Sequence, residues 1–251
     1  MRVAAIYDIH GNLPALEAVL QDIRQARVDQ ILVGGDVVPG PMPNETIQCL
    51  LDLKIPVQFI QGNGDREVIA HLAGRETDWF RGAPEKWREP VRSSAQQLHA
   101  EHARLLAAWP KTLSLEIPGL GEVLFCHATP RNDTEMFTRL TPEAALVPVF
   151  AGVDAPVVVC GHTHMQFDRR VGNTRVVNAG SVGMPFADPG AYWLLLGPDL
   201  QLRRTQYDLA KAADRIRQTP YPQAEAFAAH SVLKPPSEEE SLKAFARVEI
   251  K

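Results

Sequence analysis

The stretch that decides the fold is residues 3–36, VAAIYDIHGNLPALEAVLQDIRQARVDQILVGGD. The apolar runs at residues 3–7 and 30–33 have the length and aliphatic character of buried strands. Between them, residues 14–26 carry apolar side chains at a helical period, and a proline stands at the helix start, where its missing N–H costs no hydrogen bond. A strand, a helix and a second strand in this order predict a parallel sheet with a right-handed crossover.

The same alternation continues through residues 44–53, a predicted helix, and residues 57–60, a predicted third strand. It then stops, because residues 66–111 show no strand pattern. Residues 67–72 and 93–109 have helical periodicity instead. This helical insertion is predicted either to cap a site at the strand ends or to pack on the sheet edge with its tryptophans in the core.

Strand patterns return in the second half of the chain. Residues 113–117 and 122–126 flank a Pro-Gly-rich turn, which predicts a β-hairpin, and residues 157–160 predict a further strand. A helical C-terminal tail is predicted at about 208–251, so residues 1–251 are expected to form a single domain. Four short β-like stretches suit a second, mostly antiparallel sheet: residues 166–170, 175–178, 192–196 and 202–206.

The composition, with 45% hydrophobic and 22% charged residues, is that of an ordinary globular protein. A formal net charge of −4 gives no reason to expect binding to long nucleic acid. No apolar run approaches the roughly 18 residues of a membrane span, and no signal-peptide core is present, so we expect no membrane association and a cytoplasmic location. Cys49, Cys126 and Cys160 are too few and too far apart for a disulfide framework.

Metal-competent side chains follow five of the predicted strands. Because open α/β sheets bind ligands beyond the carboxyl ends of their strands, we expect these side chains to converge. Carboxylate, amide and imidazole donors without clustered cysteines favour a catalytic, partly open metal site over structural zinc. Alternation predicts that donors two residues apart point the same way. The clusters are Asp8-Ile9-His10, Gly35-Asp36, Gly62-Asn63-Gly64-Asp65, His127 and Gly161-His162-Thr163-His164.

These ordered blocks, with Gly40 four residues after Asp36, resemble the five motifs of the calcineurin-like metallophosphoesterase superfamily. Residues 8–12 (DIHGN) and 178–183 (NAGSVG) are similar to its small bacterial and archaeal branch, whose members are often described as phosphodiesterases. The resemblance runs from residue 8 to about 183. It implies an α/β fold, a four-layer αββα sandwich of two mixed sheets flanked by helices.

The resemblance also implies a cofactor of two divalent metal ions bridged by Asp36. It implies hydrolysis of a phosphodiester or a similar small phosphate substrate by a metal-bridging hydroxide. Mn, Fe, Ni and Zn all suit such a donor set, so the metal identity stays open. The first ion would be held by Asp8, His10, Asp36 and His164, and the second by Asp36, Asn63, His127 and His162.

One position departs from the family pattern. Many members have histidine where this chain has Gly64, and that histidine is assigned to leaving-group protonation or transition-state stabilisation. Loss of a general acid costs roughly a hundredfold or more in rate, so we expect a preference for diesters or anhydrides with good leaving groups. His71, His99 or His102 of the helical insertion could replace the acid, and each also suits a solvated helix face.

Two residues near the predicted site are candidates for substrate binding. Asn12 could donate to a phosphate oxygen, or it could only close its own turn. Arg131, and after it Arg139, are the nearest cations to His127, with surface solvation as the alternative role. Asp65 has no histidine to orient, so a turn or N-cap role is enough for it.

Two other functions stay open. One is hydrolysis of dinucleoside polyphosphates or other nucleotide anhydrides. The other is a non-catalytic protein-interaction scaffold that keeps the fold, against which the presence of all seven ligand positions argues. Residues 66–111 are expected to set specificity, while the substrate, the native metal and the oligomeric state are not determined by the sequence.

Overall fold

The computed structural model describes residues 1–246, and ten strands lie in that part of the chain. They are short and alternate with helices in the first third of the chain, as the sequence predicts. The strands are β1 (Val3–Ile6), β2 (Gln30–Val33), β3 (Val57–Phe59), β4 (Thr112–Ile117), β5 (Gly121–Cys126), β6 (Val157–Cys160), β7 (Phe167–Val171), β8 (Thr174–Asn178), β9 (Ala191–Leu196) and β10 (Leu200–Thr205).

Ten α-helices and one π-helical turn, Ala228–Leu233, accompany the strands in the described residues. Among these residues, no helix combines the length and the apolar character that a membrane crossing needs. The helices are α1 (Leu13–Ala26), α2 (Pro43–Leu51), α3 (Asn63–Leu72), α4 (Asp78–Gly82), α5 (Glu85–Gln97), α6 (Ala100–Ala108), α7 (Glu143–Phe150), α8 (Leu209–Arg217), α9 (Ala224–Phe227) and α10 (Glu238–Phe245).

The strands form two five-stranded sheets. The first has the order β10-β9-β1-β2-β3, in which β1, β2 and β3 are parallel and β9 runs antiparallel to β1. The second has the order β4-β5-β6-β8-β7, with a parallel centre and antiparallel edge strands. Both sheets are therefore mixed, and helices flank them, which confirms the predicted fold class.

The composition of the second sheet was predicted wrongly. The four β-like stretches after residue 165 do form strands, but they divide between the sheets. β7 and β8 join the second sheet, whereas β9 pairs with β1 and completes the first sheet together with β10. Strand patterns do not specify partners. In its position beside β1, the side chains of β9 contribute to two apolar layers, with Trp193 and Leu195 in one and Leu194 and Leu196 in the other.

Three apolar layers separate the sheets and helices. In β1, Val3 and Ala5 face the layer between the two sheets, while Ala4 and Ile6 face the layer beneath the helices of the first sheet. In β6, Val157 and Val159 face the central layer, and the intervening residues face the layer under α7. Both faces of these strands are buried, which explains their unbroken apolar sequences. The outcome is the four-layer arrangement helix–sheet–sheet–helix.

The helical insertion, residues 66–111, packs on the first sheet. Side chains of α4, α5 and α6 join the apolar layer beneath the helices of that sheet. Trp109 stacks on Phe59 with ring centroids 4.6 Å apart, but Trp79 and Trp87 remain 39% and 51% exposed. Of these three tryptophans, Trp109 packs on the sheet. Whether the insertion caps the site at the strand ends stays a prediction.

The described part of the predicted C-terminal tail contains α8, α9, the π-helical turn and α10, with non-helical stretches at residues 218–223 and 234–237. Helix α10 begins with a capping box in which Ser237 and Glu240 each bond the backbone N–H of the other. Residues 247–251 of the predicted tail lie outside the described residues.

A buried polar chain connects the edge of the first sheet to α1. The indole Nε1 of Trp193 donates to Oγ1 of Thr205 at 3.0 Å, and that hydroxyl donates to Oδ2 of Asp22 at 2.6 Å. Thr205 and Trp193 are buried, so water cannot replace a lost partner.

We predict that Thr205→Val lowers the free energy of unfolding by about 1–3 kcal/mol, because it leaves the Trp193 N–H buried without an acceptor. Thr205→Ser keeps the hydroxyl and is the matched control. Urea unfolding followed by tryptophan fluorescence measures both, and a valine variant as stable as the serine variant would contradict the role of this chain.

Candidate metal centre

Seven side chains with metal-binding chemistry meet beyond the carboxyl ends of five strands. Three of these strands belong to the first sheet and two to the second, so the site lies where the two sheets face each other. The donors are Asp8 and His10 after β1, Asp36 after β2, Asn63 after β3, His127 after β5, and His162 and His164 after β6.

The backbone is left-handed at five of the seven donors. Among residues 1–246 six non-glycine residues have a left-handed φ, and the sixth is Arg27 at the end of α1. This conformation costs about 1–3 kcal/mol per residue, so surrounding contacts must maintain it. The backbone N–H of Asp8 donates to Gly35 O at 3.1 Å, and the backbone N–H of His10 donates to Asp36 O at 2.9 Å. The five residues are Asp8, His10, Asp36, His162 and His164, with φ from 48° to 66°.

The left-handed backbone corrects the prediction from alternation. His162 and His164 are two residues apart, yet His164 lies with Asp8 and His10, whereas His162 lies with Asp36 and His127. Alternation holds only for extended chain, and the φ values of 66° and 59° take both histidines out of that conformation. Asp8 and His10 do fall in the same group, as predicted.

The first group consists of Asp8, His10 and His164. The Nε2 atoms of His10 and His164 are 3.3 Å apart, and Oδ1 of Asp8 is 3.4 Å from Nε2 of His164. This Asp8 oxygen is buried and has no hydrogen-bond partner. Three donor atoms therefore point at one another across a small space.

The second group consists of Asp36, His127 and His162, together with Asn63. Nε2 of His127 lies 3.0 Å from the side-chain oxygen of Asn63 and 3.5 Å from Oδ2 of Asp36. The amide of Asn63 also lies 2.9 Å from Nδ1 of His162. The Asn63 amide thus lies between the two histidines, and its oxygen is the kind of hard donor that a divalent cation accepts.

Hydrogen bonds on the far side of three imidazoles set which nitrogen faces the site. A backbone carbonyl can only accept, so Nδ1 of each ring carries a proton and Nε2 is directed inward. Closely spaced electron-rich atoms repel one another unless a cation lies between them, and the donor set therefore fits divalent metal ions. The carbonyl partners are Pro39 for His10 at 3.2 Å, Gly34 for His127 at 2.9 Å and Met184 for His164 at 2.7 Å.

Burial and neighbouring charges set the protonation of the donors. Burial, together with the adjacent His127, lowers the pKa of His162 to about 4, so its ring is neutral at pH 7. Burial tends to raise the pKa of Asp36, but the neighbouring imidazoles outweigh it and hold this pKa below the usual range. Burial opposes protonation of His127, yet Asp36 and Asp8 raise its pKa to about 10. A metal ion would take the place of the His127 proton that faces Asp36.

A family model described as the calcineurin-like phosphoesterase superfamily domain matches residues 1–197 of this sequence. The chain belongs to the calcineurin-like phosphoesterase superfamily. This confirms the predicted resemblance, and the donor groups described above are candidate metal-ligand sets of a superfamily member.

Two related proteins and one solved structure are similar to most of the chain. An uncharacterised protein of Methanocaldococcus jannaschii is 30% identical over 238 residues, 85% of this chain and 91% of the relative. The phosphodiesterase YfcE of Escherichia coli K12 is 25% identical over 206 residues, 78% of this chain and 87% of YfcE. The crystal structure of a metallophosphoesterase from Sphaerobacter thermophilus has a TM-score of 0.71 at 28% identity, covering 92% of this chain and 99% of that one.

The position where many members of the superfamily have histidine is tightly enclosed in this chain. A Cβ on Gly64 would lie 2.7 Å from Cδ of Pro39 and 3.0 Å from Oδ1 of Asp36. The Gly64 N–H donates to the same Asp36 oxygen at 2.7 Å. A larger residue could be accepted here only if Pro39 or Asp36 moved.

The neighbouring Asp65 is a cap, the role that the sequence left for it. Its carboxylate is buried and accepts from the N–H groups of Val38 and Gly62, both at 3.0 Å. Burial and the charge of Asp36 raise the pKa of Asp65 to about 8. Asp65 therefore connects the start of α3 to the loop that follows Asp36.

Of the two roles open to Asn12, the structure supports turn closure. Its side chain is fully buried, its oxygen accepts from the Ala15 N–H at 3.2 Å, and its amide donates to Gly183 O at 2.9 Å. Its burial and these two hydrogen bonds favour turn closure, and the contact of Asn12 with a phosphate stays a prediction.

The candidate phosphate-binding cations are held in ion pairs. Arg131 contacts Glu135, with Nη2 and Oε1 2.5 Å apart, and its side chain is 42% exposed. Arg139 contacts Glu238 of α10 at 2.8 Å. These contacts agree with the surface role that the sequence left open for Arg131 and Arg139.

The candidate histidines of the helical insertion have contacts on helices. The ring of His71 lies 5.1 Å from that of Phe80. His102 Nδ1 lies 2.9 Å from Asn44 Oδ1 on α2, and the rings of His99 and His102 are 5.4 Å apart. His102 is buried, which contradicts the solvated position predicted as its alternative role, and it forms a further group of donor atoms with His99 and Glu101. None of these contacts involves one of the seven donors of the site, and the acid role of the three histidines stays a prediction.

Two contacts of the donors were missed in the sequence. The guanidinium of Arg66 binds both carboxylate oxygens of Asp133, at 2.6 and 3.1 Å, and the backbone oxygen of Asp133 lies 3.2 Å from the Asn63 amide. Phe186 packs on His164 with ring centroids 4.8 Å apart. The place of Arg66 directly after the third block was a usable signal, whereas nothing in the sequence connects Phe186 to His164.

We predict that Asn12→Ala lowers the free energy of unfolding by about 1–3 kcal/mol, because it removes a helix cap and a buried hydrogen bond. The exposed turn residue Asn173 supplies the control, Asn173→Ala, which should be neutral. Urea unfolding measures both. Unchanged stability of Asn12→Ala together with a raised KM for a phosphate substrate would favour the substrate-binding role instead.

We predict that Gly64→Ala lowers the free energy of unfolding by about 1–3 kcal/mol, because the added methyl group overpacks the contact with Pro39. It should also weaken metal binding, since the same methyl group presses on Asp36. Gly82→Ala is the matched control, because a Cβ there meets no atom within 4 Å. Thermal unfolding and metal titration check both variants, and equal behaviour of the two would show that the space at Gly64 is not limiting.

Proposed function

We propose that the protein is a dinuclear metal-dependent phosphoesterase that hydrolyses phosphodiesters or similar small phosphate substrates. One observation carries the dinuclear assignment. Oδ2 of Asp36 lies 3.8 Å from Nε2 of His10 in the first group and 3.5 Å from Nε2 of His127 in the second. A single carboxylate oxygen between two donor groups is the arrangement that a bridging ligand requires.

The ligand sets that follow have Asp36 in common. The first consists of Asp8, His10, Asp36 and His164, and the second of Asp36, Asn63, His127 and His162. This mixture of carboxylate, amide and imidazole donors suits Mn, Fe, Ni or Zn and does not choose among them.

Two divalent ions held in this way would supply an activated water at neutral pH and would neutralise charge on the phosphate oxygens during in-line displacement. The residues of the chain position this chemistry. Carbonyl groups of Pro39, Gly34 and Met184 fix the imidazoles, and the backbone N–H of Gly64 holds the free oxygen of Asp36. The donors are therefore preorganised.

Diesters with good leaving groups are the favoured substrates. No side chain is present at Gly64 to protonate a poor leaving group, and Pro39 closes the space beside it. The name of the E. coli relative, a phosphodiesterase, supports the same substrate class. Simple monoesters of poor leaving groups should react slowly by comparison.

A catalytic role is better supported than a scaffold role. The left-handed backbone at five donors costs about 1–3 kcal/mol per residue, and a protein-interaction module has no use for that strain. The strain is explained if the donors serve a metal-dependent reaction.

The test compares wild type with Asp36→Asn after metal removal and separate reconstitution with Mn²⁺, Ni²⁺, Zn²⁺ or Fe²⁺. Hydrolysis of bis-p-nitrophenyl phosphate and metal content by mass spectrometry are the measurements. We expect metal-dependent turnover by the wild type, and we expect Asp36→Asn to abolish turnover and to lower occupancy at both sites, because a bridging ligand serves both ions.

Asp78→Asn is the matched control, because this side chain is 98% exposed, and it should behave as wild type. Circular dichroism establishes that each variant is folded. Full turnover by Asp36→Asn would contradict the dinuclear assignment. Metal binding by the wild type without turnover under any condition would favour a scaffold.

A further inference from the structure

A pocket of about 430 Å³ lies beside the first donor group. Met165 and Gln166, which follow the donor His164 in the chain, form one part of its lining. Phe186 forms another part, and its ring packs against the imidazole of His164 at 4.8 Å. The pocket is within the size range of small-molecule sites, and one aromatic side chain separates it from the donor.

The outer wall of this pocket comes from residues 234–245, here named the C-terminal segment. Lys234, Pro235 and Glu238 line the pocket directly. The segment is attached on two sides, because Glu238 pairs with Arg139 at 2.8 Å and the ring of Phe245 lies 6.0 Å from that of Phe186. It thus joins the loop after His127 to the loop beside His164.

The C-terminal segment lies outside residues 1–197, the part of the chain that the family model matches. The donors lie within the part that the family model matches, whereas this wall of the pocket lies outside it. Residues around a shared reaction centre are where function differs among proteins that share a fold.

The lining combines apolar and aromatic walls with charged groups. Met165, Phe186, Tyr192 and Pro235 supply the apolar area. Lys234 is exposed, whereas Asp188 and Glu238 are paired with Arg204 and Arg139. The guanidinium of Arg204 lies 5.7 Å from the centroid of the Tyr192 ring, so the opposite face of this ring is the one available to a ligand. Charged groups disfavour a long acyl chain, whereas a flat heteroaromatic ring offers a face for aromatic contacts and polar edges for charged side chains.

We propose that this pocket, completed by the C-terminal segment, binds a nucleoside group attached to the phosphate, which makes the substrate a nucleotide diester. This rests on the proposed phosphodiesterase function and names its substrate class. In this proposal the pocket, and not the helical insertion at residues 66–111, determines the substrate specificity.

The test uses two diesters with the same leaving group, thymidine 5′-(p-nitrophenyl phosphate) and methyl p-nitrophenyl phosphate, and the full-length protein loaded with Mn²⁺. Because p-nitrophenolate leaves in both reactions, the ratio of their kcat/KM values reports binding of the retained group. The wild type should prefer the nucleoside ester.

Two variants probe the pocket. Tyr192→Leu keeps apolar bulk and removes the aromatic face, and it should lower kcat/KM for the nucleoside ester about tenfold. Lys234→Gln removes an exposed charge, and it should lower the same value about fivefold. Neither should change kcat/KM for the methyl ester more than about twofold. Trp87→Leu, an exposed aromatic of the helical insertion, is the control and should leave both values unchanged.

The proposal would be overturned if the wild type had the same kcat/KM for the two esters. It would also be overturned if the pocket variants lowered kcat/KM for both esters by the same factor. A loss confined to Trp87→Leu would return specificity to the helical insertion and overturn it as well. Calorimetric binding of thymidine 5′-monophosphate gives a readout that needs no turnover. Binding that weakens in Tyr192→Leu without any hydrolysis would support the pocket and reject the proposed reaction, while absence of binding would reject the pocket.

Discussion

Repulsion between closely spaced donor atoms is the constraint on which the rest of this structure depends. Two imidazole nitrogens 3.3 Å apart and a buried carboxylate oxygen 3.4 Å from one of them are unfavourable neighbours unless a cation lies between them. The left-handed backbone at five donors adds a further cost. The scaffold around Asp8, His10 and His164 must therefore be rigid enough to resist both effects.

The four-layer architecture supplies that rigidity. β1 and β6 are buried on both faces, so the strand ends that carry the donors cannot shift without disturbing two apolar layers. Polar contacts then fix the loops beyond those ends. The amide of Asn178 donates to Gly161 O at 2.6 Å, and the hydroxyl of Ser181 donates to Asp8 O at 2.7 Å. These are residues of the 178–183 stretch, whose place in the fold explains why it accompanies the metal motifs.

The metal-binding donors and the C-terminal segment lie in two different regions of the chain. Residues 1–197 form the superfamily domain and carry every one of the seven donors. The C-terminal segment packs beside His164 through Phe186 and Phe245 and contributes no donor among its described residues. In the proposed function, the metal donors would hold the reacting phosphate and the C-terminal segment would contact the group attached to it.

The sequence by itself determined the elements and the donors. Apolar runs and helical periods follow from local chemistry, and five ordered donor clusters at strand ends identify the superfamily because few folds bring that order together. The parallel order of β1, β2 and β3 also follows locally, since short strand–helix–strand units permit one crossover hand.

Only the tertiary structure decided which strands pair and what surrounds the donors. The pairing of β9 with β1, the burial of Asn12 and the approach of Pro39 to Gly64 could not be read from spacing. Spacing alone also placed His162 and His164 together, whereas the family resemblance assigned them to different ions. Each of these arrangements depends on contacts between residues that are distant in the chain or on a left-handed backbone that alternation does not describe. Residue patterns encode local preference and burial, whereas partners and exact directions are set by how the buried layers pack together.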